Sequence, residues 1–123
     1  NQDRLGIQAK RIWCSADREH PDTSYVTDND RVDILAKPLA DGAVALCFIN
    51  LSGRRREEEF AVCAGDIVRY IGHKMVDRER FLKASEYQLT DLWADSRCEN
   101  TTGRFSVSGL DACDCVTYRV TPV

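Results

Sequence analysis

The side chains that could serve as catalytic bases or nucleophiles are few in this sequence, and their contexts do not favour catalysis. His20 precedes Pro21 and His73 precedes Lys74, so both histidines lie in polar segments and we expect them to be exposed. A serine nucleophile needs a neighbouring base, and the Gly-x-Ser-x-Gly pattern of a nucleophile elbow is absent. The sequence therefore predicts no catalytic serine or histidine.

Paired carboxylates offer a second kind of chemistry, the acid and base catalysis of glycosidic bond cleavage. The candidate pairs are Asp28 with Asp30 and Asp111 with Asp114, and each pair lies in a segment typical of a turn. The two carboxyl groups of a retaining glycosidase stand about 5 to 5.5 Å apart in a shaped cleft. Because no pattern here predicts such a cleft, we expect these four aspartates to be solvated turn residues.

Six cysteines leave open disulfides, buried thiols or metal ligation. Cys47 and Cys63 lie in apolar runs, and we expect them to be buried thiols that act as small core residues. On one regular strand, Cys113 and Cys115 would have Cα atoms about 6.6 Å apart, whereas a disulfide needs Cβ atoms nearer about 3.8 Å. Zinc needs four nitrogen or sulfur ligands, so with two histidines we expect no metal and no other cofactor. The six are Cys14, Cys47, Cys63, Cys98, Cys113 and Cys115.

Length and composition indicate one domain, residues 1–123. Of the 123 residues 43% are hydrophobic and 30% charged, which is enough to build one core. No apolar run approaches the roughly 20 residues of a membrane helix, and the net charge of -3 gives no reason to expect nucleic acid. We therefore expect a soluble domain without a membrane or nucleic acid partner. Because the chain starts without Met or an apolar leader, we also expect it to be part of a longer protein.

The spacing of apolar residues predicts mostly strands. Residues 31–39 are apolar at alternate positions, which indicates a half-buried strand that ends at Pro38. Gly42 suits the following turn. Residues 43–49 are apolar on both faces, which predicts a central strand packed on two sides. The charged run 54–59 is expected to be a solvated hairpin tip that leads into the next strand, EEEFAVC.

The middle of the chain changes to a helical period. Asp66 is predicted to cap a helix that ends near Gly72, and Asp77 to cap a second helix with apolar contacts from Phe81 and Leu82. Further short strands are predicted in RIWC, TSYVT, YQLTDLW, GRFSVSG and CVTYRV. Seven or eight short strands between turns favour a mainly β fold, an antiparallel Greek-key β-sandwich with a short helical insertion near residues 66–84.

Three segments of the chain carry motifs that occur in a characteristic order. They are NQDRLGIQAKRI at residues 1–12, DILAKPLADGAVALCFIN at 33–50 and YQLTDLWADS at 87–96. Together they resemble the C-terminal part of the α-galactosidases of glycoside hydrolase family 27. Two departures from the family are Arg4, where Pro is usual, and a helical stretch at 65–84 that is longer than the expected connection.

This resemblance implies a role as well as a fold. Family members join a catalytic (β/α)₈ barrel to a C-terminal antiparallel β-sandwich, and both catalytic aspartates belong to the barrel. A barrel takes about 250 residues, so it does not fit into this chain of 123. The resemblance therefore implies a noncatalytic sandwich that packs against and stabilises the barrel of the same polypeptide, in an enzyme that hydrolyses terminal α-galactosides.

A carbohydrate-binding module is the alternative function, with galactosides as the ligands. Sugars stack on exposed aromatic rings, and four aromatic residues are candidates for such contacts. The other interpretation of these residues is packing in the core or against the barrel, which we favour, above all for Trp93. A freestanding interaction protein is a third hypothesis, for which no residue argues. The four candidates for sugar or interdomain contacts are Trp13, Tyr25, Tyr87 and Trp93.

Overall fold

The computed structural model describes residues 9–16, 30–94 and 96–123. These residues form eight strands and two short α-helices, and the helices, together with a short 3₁₀ helix, lie between the fourth and fifth strands. The strands are β1 (Lys10–Cys14), β2 (Val32–Pro38), β3 (Val44–Asn50), β4 (Arg56–Cys63), β5 (Tyr87–Asp91), β6 (Ser96–Asn100), β7 (Arg104–Leu110) and β8 (Cys115–Pro122). The helices are α1 (Ala64–Ile71), the 3₁₀ helix Gly72–Lys74 and α2 (Arg78–Lys83).

The strands form two antiparallel sheets. The larger sheet has the order β1-β2-β3-β8-β5-β6, and the smaller one pairs β4 with β7. The last strand, β8, lies between β3 and β5, so the end of the chain completes the larger sheet. This arrangement confirms the mainly β sandwich expected from the sequence. The predicted strand TSYVT lies outside the described residues.

The core lies between the sheets and is built from alternate residues of the strands. Ile34, Leu46 and Phe48 of the larger sheet are fully buried, and they belong to one cluster with Phe60 and Phe105 of the smaller sheet. Because successive side chains of a strand point to opposite faces, the neighbours of these residues face away from the core. The alternation predicted for residues 31–39 is therefore confirmed.

The first helix begins earlier than predicted. The Asp66 carboxylate accepts a hydrogen bond from the backbone N–H of Cys63 at 3.3 Å, and Cys63 is the residue at which the helix is capped. Asp66 thus stabilises the start of α1 from inside the first turn, as the acidic partner of a capping box does. The prediction of Asp66 as the capping residue was wrong, because a carboxylate three residues into a helix can satisfy the same free N–H groups.

The second helix begins where it was predicted. The Asp77 carboxylate accepts from the backbone N–H of Arg80 at 3.0 Å. Phe81 is buried, whereas Leu82 is exposed, so only one of the two predicted apolar contacts is correct. Adjacent residues on a helix face different directions, and a helix of this length buries one of them. No helix in the described part of the chain is long and apolar enough to cross a membrane.

The cysteines depart from their predicted environments. All six lie within the described residues, where they are free thiols. Cys63 is exposed at the end of β4 and Cys47 is half-buried, so the prediction of two buried thiols was wrong for Cys63, while Cys14 is fully buried. Cys113 has a φ of 58° and lies in the turn before β8, so it does not share a strand with Cys115. The alternation argument for that pair was therefore also wrong.

A buried amide joins the connections between the sheets. The chain leaves the larger sheet after Asn50 and returns to it through residues 111–114. The Asn50 side-chain nitrogen donates to the carbonyls of Arg54 (2.9 Å), Leu110 (3.1 Å) and Asp111 (3.0 Å). Its oxygen accepts from the backbone N–H of Ser52 at 2.9 Å. One side chain, with no exposed surface, therefore holds both connections.

The β6–β7 connection repeats this turn on the surface. Asn100 donates to the Arg104 carbonyl at 2.9 Å and accepts from the backbone N–H of Thr102 at 3.1 Å. The two turns share the sequence Asn-x-Ser/Thr-Gly-Arg, and each carries the chain from the larger to the smaller sheet. Both begin with an Asn-x-Ser/Thr triplet, so here this triplet has a structural use as an asparagine-stabilised turn.

Asn50→Ala and Asn100→Ala form a matched pair that tests the value of the buried amide. We expect Asn50→Ala to lower the free energy of unfolding by about 3 kcal/mol, because the buried Leu110 carbonyl and Ser52 backbone N–H lose their hydrogen bonds to this amide. For Asn100→Ala we expect a loss within about 1 kcal/mol, since water can replace the exposed amide. Urea unfolding followed by tryptophan fluorescence measures both values. Equal losses in the two variants would contradict a special role for Asn50.

Candidate functional site

The outward face of the larger sheet carries a band of apolar and thiol side chains. The register places Cys47 of β3 opposite Leu35 of β2 and Thr117 of β8, and Ile49 opposite Cys115. These five residues alternate with core residues and are half-buried. We call them the outer patch. The outward face of an antiparallel sheet is usually polar, so an apolar outward face is unusual. The sequence predicted that β3 is packed on two sides. Its inner face is buried, whereas its outward face is only half-buried by the described residues.

A nearly buried carboxylate borders the outer patch. Asp33 lies on the outward face of β2, opposite Ile49. Its Oδ2 is 3.6 Å from Arg11 and 3.3 Å from Arg31. Its Oδ1 is buried and has no hydrogen-bond partner among the described residues. A buried carboxylate oxygen normally accepts a hydrogen bond, so this unsatisfied oxygen is an exception among the described residues.

The β5–β6 turn adds two exposed apolar side chains beside the outer patch. The backbone N–H of Leu92 donates to the Thr117 carbonyl at 3.0 Å. Leu92 is 53% exposed and Trp93 is 78% exposed. The Asp91 carboxylate accepts from the backbone N–H groups of Trp93 and Ala94, each at 3.0 Å. These bonds form an Asx turn, which fixes the backbone that carries Trp93.

Cys47, one of the two cysteines of the outer patch, is a packing residue. Burial raises the pKa of the Cys47 thiol; a hydrogen bond with Thr117 opposes this effect, and the neighbouring Cys115 adds to it. Thiolate, and not thiol, is the nucleophile. A raised pKa therefore makes Cys47 a slow nucleophile at neutral pH.

A cleft of about 600 Å³ opens between β1, at the edge of the larger sheet, and β4 of the smaller sheet. The apolar part of its lining includes Trp13, Phe60 and Ala61. The rings of Trp13 and Phe60 meet edge to face, with 5.8 Å between centroids. Trp13 is half-buried, so part of its ring remains accessible on the cleft side. We call this site the Trp13 cleft.

The polar part of the cleft is organised around Arg56, which is only 6% exposed. Its guanidinium donates to the Asp30 carboxylate (2.9 Å), the Asp30 carbonyl (3.0 Å) and the Ser52 hydroxyl (3.3 Å). It also contacts Glu58 at 3.4 Å. The Asp30 carboxylate lies 3.6 Å from Arg54. The prediction of residues 54–59 as a solvated hairpin tip was therefore wrong for Arg56, whose charge is paired across the cleft.

The charges that line the cleft cancel. One further ion pair joins Arg104 of β7 to Glu59 of β4. The described lining thus holds three guanidinium groups and three carboxylates, each group within an ion pair. Such a site offers many hydrogen-bond donors and acceptors without attracting a net charge. The charged residues are Asp30, Arg54, Arg56, Glu58, Glu59 and Arg104.

The aromatic candidates from the sequence have different surroundings. Tyr87 is a core residue: its ring lies 5.3 Å from Phe81 and 5.2 Å from Phe105 between centroids, and its hydroxyl donates to the Phe81 carbonyl. Burial raises the pKa of that hydroxyl. Trp93 is exposed in a turn, so core packing was the wrong expectation for it. Trp13 lines the cleft, and Tyr25 lies outside the described residues.

Of the carboxylate pairs from the sequence, Asp111 with Asp114 is fully described, and it does not form a catalytic site. Asp111 pairs with Arg55 in an exposed turn, and Asp114 accepts from the backbone N–H of Cys115 at 2.8 Å. Both are the solvated turn residues that were predicted. His73 is exposed, whereas His20 and Asp28 lie outside the described residues. No cluster of three or more potential metal ligands occurs within the residues that the structure describes.

Comparison with known protein families finds one match. Residues 29–120 match the family model described as the alpha galactosidase C-terminal beta sandwich domain. This range contains β2 to β7 and most of β8. Among curated proteins, no sequence matches the chain.

Solved structures of longer proteins contain the same fold. The chain is similar to alpha-galactosidase I from Mortierella vinacea (TM-score 0.64, 16% identity), with 97% of this chain and 24% of that one covered. It is similar to the alpha-galactosidase from Saccharomyces cerevisiae with raffinose (TM-score 0.65, 13% identity), with 99% of this chain and 34% of that one covered. A β-L-arabinopyranosidase from Geobacillus stearothermophilus is similar with a TM-score of 0.59 and 14% identity, and the match covers 95% of this chain and 20% of that one. The chain thus spans between 20% and 34% of the length of these proteins.

The raised pKa of Cys47 predicts slow alkylation. At pH 8.5 we expect iodoacetamide to modify Cys47 several-fold more slowly than the exposed Cys98, because burial keeps Cys47 in the protonated form. The rate at Cys47 should continue to rise with pH above the usual thiol range. Peptide mass spectrometry of timed reactions measures both rates. Equal rates for the two cysteines would show that the outer patch does not shield Cys47.

Proposed function

Because this chain belongs to the family of alpha galactosidase C-terminal beta sandwich domains, we propose that it packs against the catalytic barrel of an α-galactosidase within the same polypeptide. In this proposal the barrel hydrolyses terminal α-galactosides, and the sandwich stabilises the barrel without supplying a catalytic residue. The observation that carries the proposal is the outer patch, extended by the exposed Leu92 and Trp93.

The physical properties of this surface support a packing role. Exposed apolar side chains that lie together mark interaction surfaces, and a tryptophan at the centre of an interface often contributes much of its binding energy. The Asx turn at Asp91 fixes the backbone at Trp93 and Ala94, so little backbone entropy is lost when this turn is covered.

The chemistry of the described residues supports a noncatalytic role. A retaining glycosidase needs two free carboxyl groups about 5 to 5.5 Å apart. Each of the cleft carboxylates is paired with an arginine, so no two of them form a free pair of acid and nucleophile. These carboxylates are Asp30, Glu58 and Glu59. Turnover of 4-nitrophenyl α-galactoside by this chain alone would contradict the proposal.

Leu92→Lys and Leu82→Lys test the packing surface as a matched pair. The two leucines are similarly exposed, at 53% and 48%, but only Leu92 borders the outer patch. In a protein that joins this chain to its barrel, we expect Leu92→Lys to destabilise domain packing by about 2 to 3 kcal/mol, since an interface would bury an unpaired charge. Thermal inactivation of α-galactosidase activity measures the effect.

The control for this experiment is the chain without a barrel. There both lysine variants should change the free energy of unfolding by no more than about 0.5 kcal/mol, because both sites are exposed. If Leu92→Lys and Leu82→Lys inactivate the joined protein at the same rate, the outer patch is not the packing surface.

Galactoside binding by the chain itself is a second candidate function. The observation that favours it is the Trp13 cleft, which combines an aromatic ring with many hydrogen-bond donors and acceptors. Raffinose, present in the similar Saccharomyces cerevisiae structure, and galactose are suitable probes. Isothermal titration should show saturable binding of one equivalent, and heats no larger than the dilution blank would exclude this function.

A further inference from the structure

We propose that the Trp13 cleft is a binding site for a neutral carbohydrate, with Trp13 as the stacking surface and Arg104, Asp30 and Glu58 as the groups that hydrogen-bond the hydroxyls. This proposal rests on the second candidate function, galactoside binding, and assigns that function to one place in the fold. Trp93, the other exposed tryptophan, is assigned to domain packing instead.

The apolar part of the cleft matches the apolar face of a sugar ring. A pyranose presents C–H groups on one face, and indole rings bind such faces while their edges remain polar. The contact with Phe60 fixes the orientation of the Trp13 ring. A fixed ring loses little entropy when a ligand stacks on it. The half-buried state of Trp13 therefore favours recognition over a fully exposed, freely rotating side chain.

The polar part of the cleft matches neutral hydroxyl groups better than an anion or a cation. Its three guanidinium groups and three carboxylates cancel, so the described lining gives no net attraction for phosphate or for an ammonium group. Exposed members such as Glu58 and Arg104 still have lone pairs or N–H groups beyond those used in their ion pairs. A hydroxyl both donates and accepts, so it can bind beside a carboxylate and an arginine at once.

The cleft is preorganised by buried groups. Arg56 is held by the Ser52 hydroxyl at 3.3 Å, and the Ser52 backbone N–H donates to Asn50 at 2.9 Å. Asp30, in turn, accepts from Arg56 through both its carboxylate and its backbone carbonyl. Arg56 and Asp30 are therefore fixed by the same buried network that joins the sheets. A ligand would not have to order these two groups, which lowers the cost of binding.

The two tryptophans of the chain provide a direct readout of the two surfaces. In a ¹⁵N-labelled sample, one indole N–H signal belongs to Trp13 and the other to Trp93. We expect galactose and raffinose to shift the Trp13 signal saturably and to leave the Trp93 signal in place. Inorganic phosphate should shift neither signal, and galacturonate should bind no more tightly than galactose, because the cleft has no net positive charge.

Two pairs of variants separate binding from folding. Trp13→Ala should raise the Kd for galactose about tenfold, whereas Trp93→Ala should leave this Kd unchanged. Because Trp13 also contacts the core residue Phe60, its replacement could affect folding, and a second pair of variants avoids the core. Arg104→Ala, in the cleft, should raise the Kd for galactose about fivefold. Arg97→Ala, exposed on β6, should leave that Kd unchanged. Both arginine variants should keep the amide spectrum of the folded chain.

The outcomes distinguish the site from the function. If galactose shifts only the Trp93 signal, galactoside binding stands and its assignment to the cleft is wrong. If phosphate shifts the Trp13 signal more strongly than galactose does, the cleft is an anion site. If neither sugar shifts either signal, both the site and the second candidate function are wrong.

Discussion

A single buried side-chain amide, that of Asn50, is the interaction on which the arrangement of the two sheets depends. It ends β3, the strand at the centre of the larger sheet, and binds both connections to the smaller sheet. Buried carbonyls need donors, and Asn50 supplies one to the buried Leu110 carbonyl and shares the Arg54 and Asp111 carbonyls with Ser52 and Asp114. Through Ser52 the same network reaches Arg56 and fixes the wall of the cleft. Packing of the core and geometry of the cleft therefore have a common origin.

The two candidate surfaces follow from the two-sheet architecture. The larger sheet has six strands and the smaller has two, so much of what surrounds the larger sheet must come from helices, connections or another domain. Its outward face is apolar around Cys47 and Ile49, which suits contact with another domain. The cleft, in contrast, lies between the edges of the two sheets, where Arg56 and its partners form a polar wall beside Trp13. Packing and ligand binding can thus occupy different faces.

The sequence predicted those parts of the fold that local patterns determine. Residues 31–39 alternate so strongly that a shift of one position would expose the core, and the hairpin predicted with residues 43–49 was confirmed. β6 was missed because SRCEN is polar, and its pairing with β5 decides its structure. The burial of Arg56 was not predicted because it depends on Asp30, a partner distant in sequence. The exposure of Trp93 was not predicted because it depends on the geometry of the turn at Asp91. The repeated Asn-x-Ser/Thr-Gly-Arg pattern was a visible signal of the two connections, but it also fits glycosylation acceptors.

The central claim is that this sandwich accompanies a catalytic barrel in one polypeptide. The most direct test is to sequence the coding region upstream of Asn1 through the roughly 250 codons that a barrel requires. The proposal predicts alternating strands and helices, with an aspartate at the end of a strand. A stop codon or an unrelated domain in that region would contradict it.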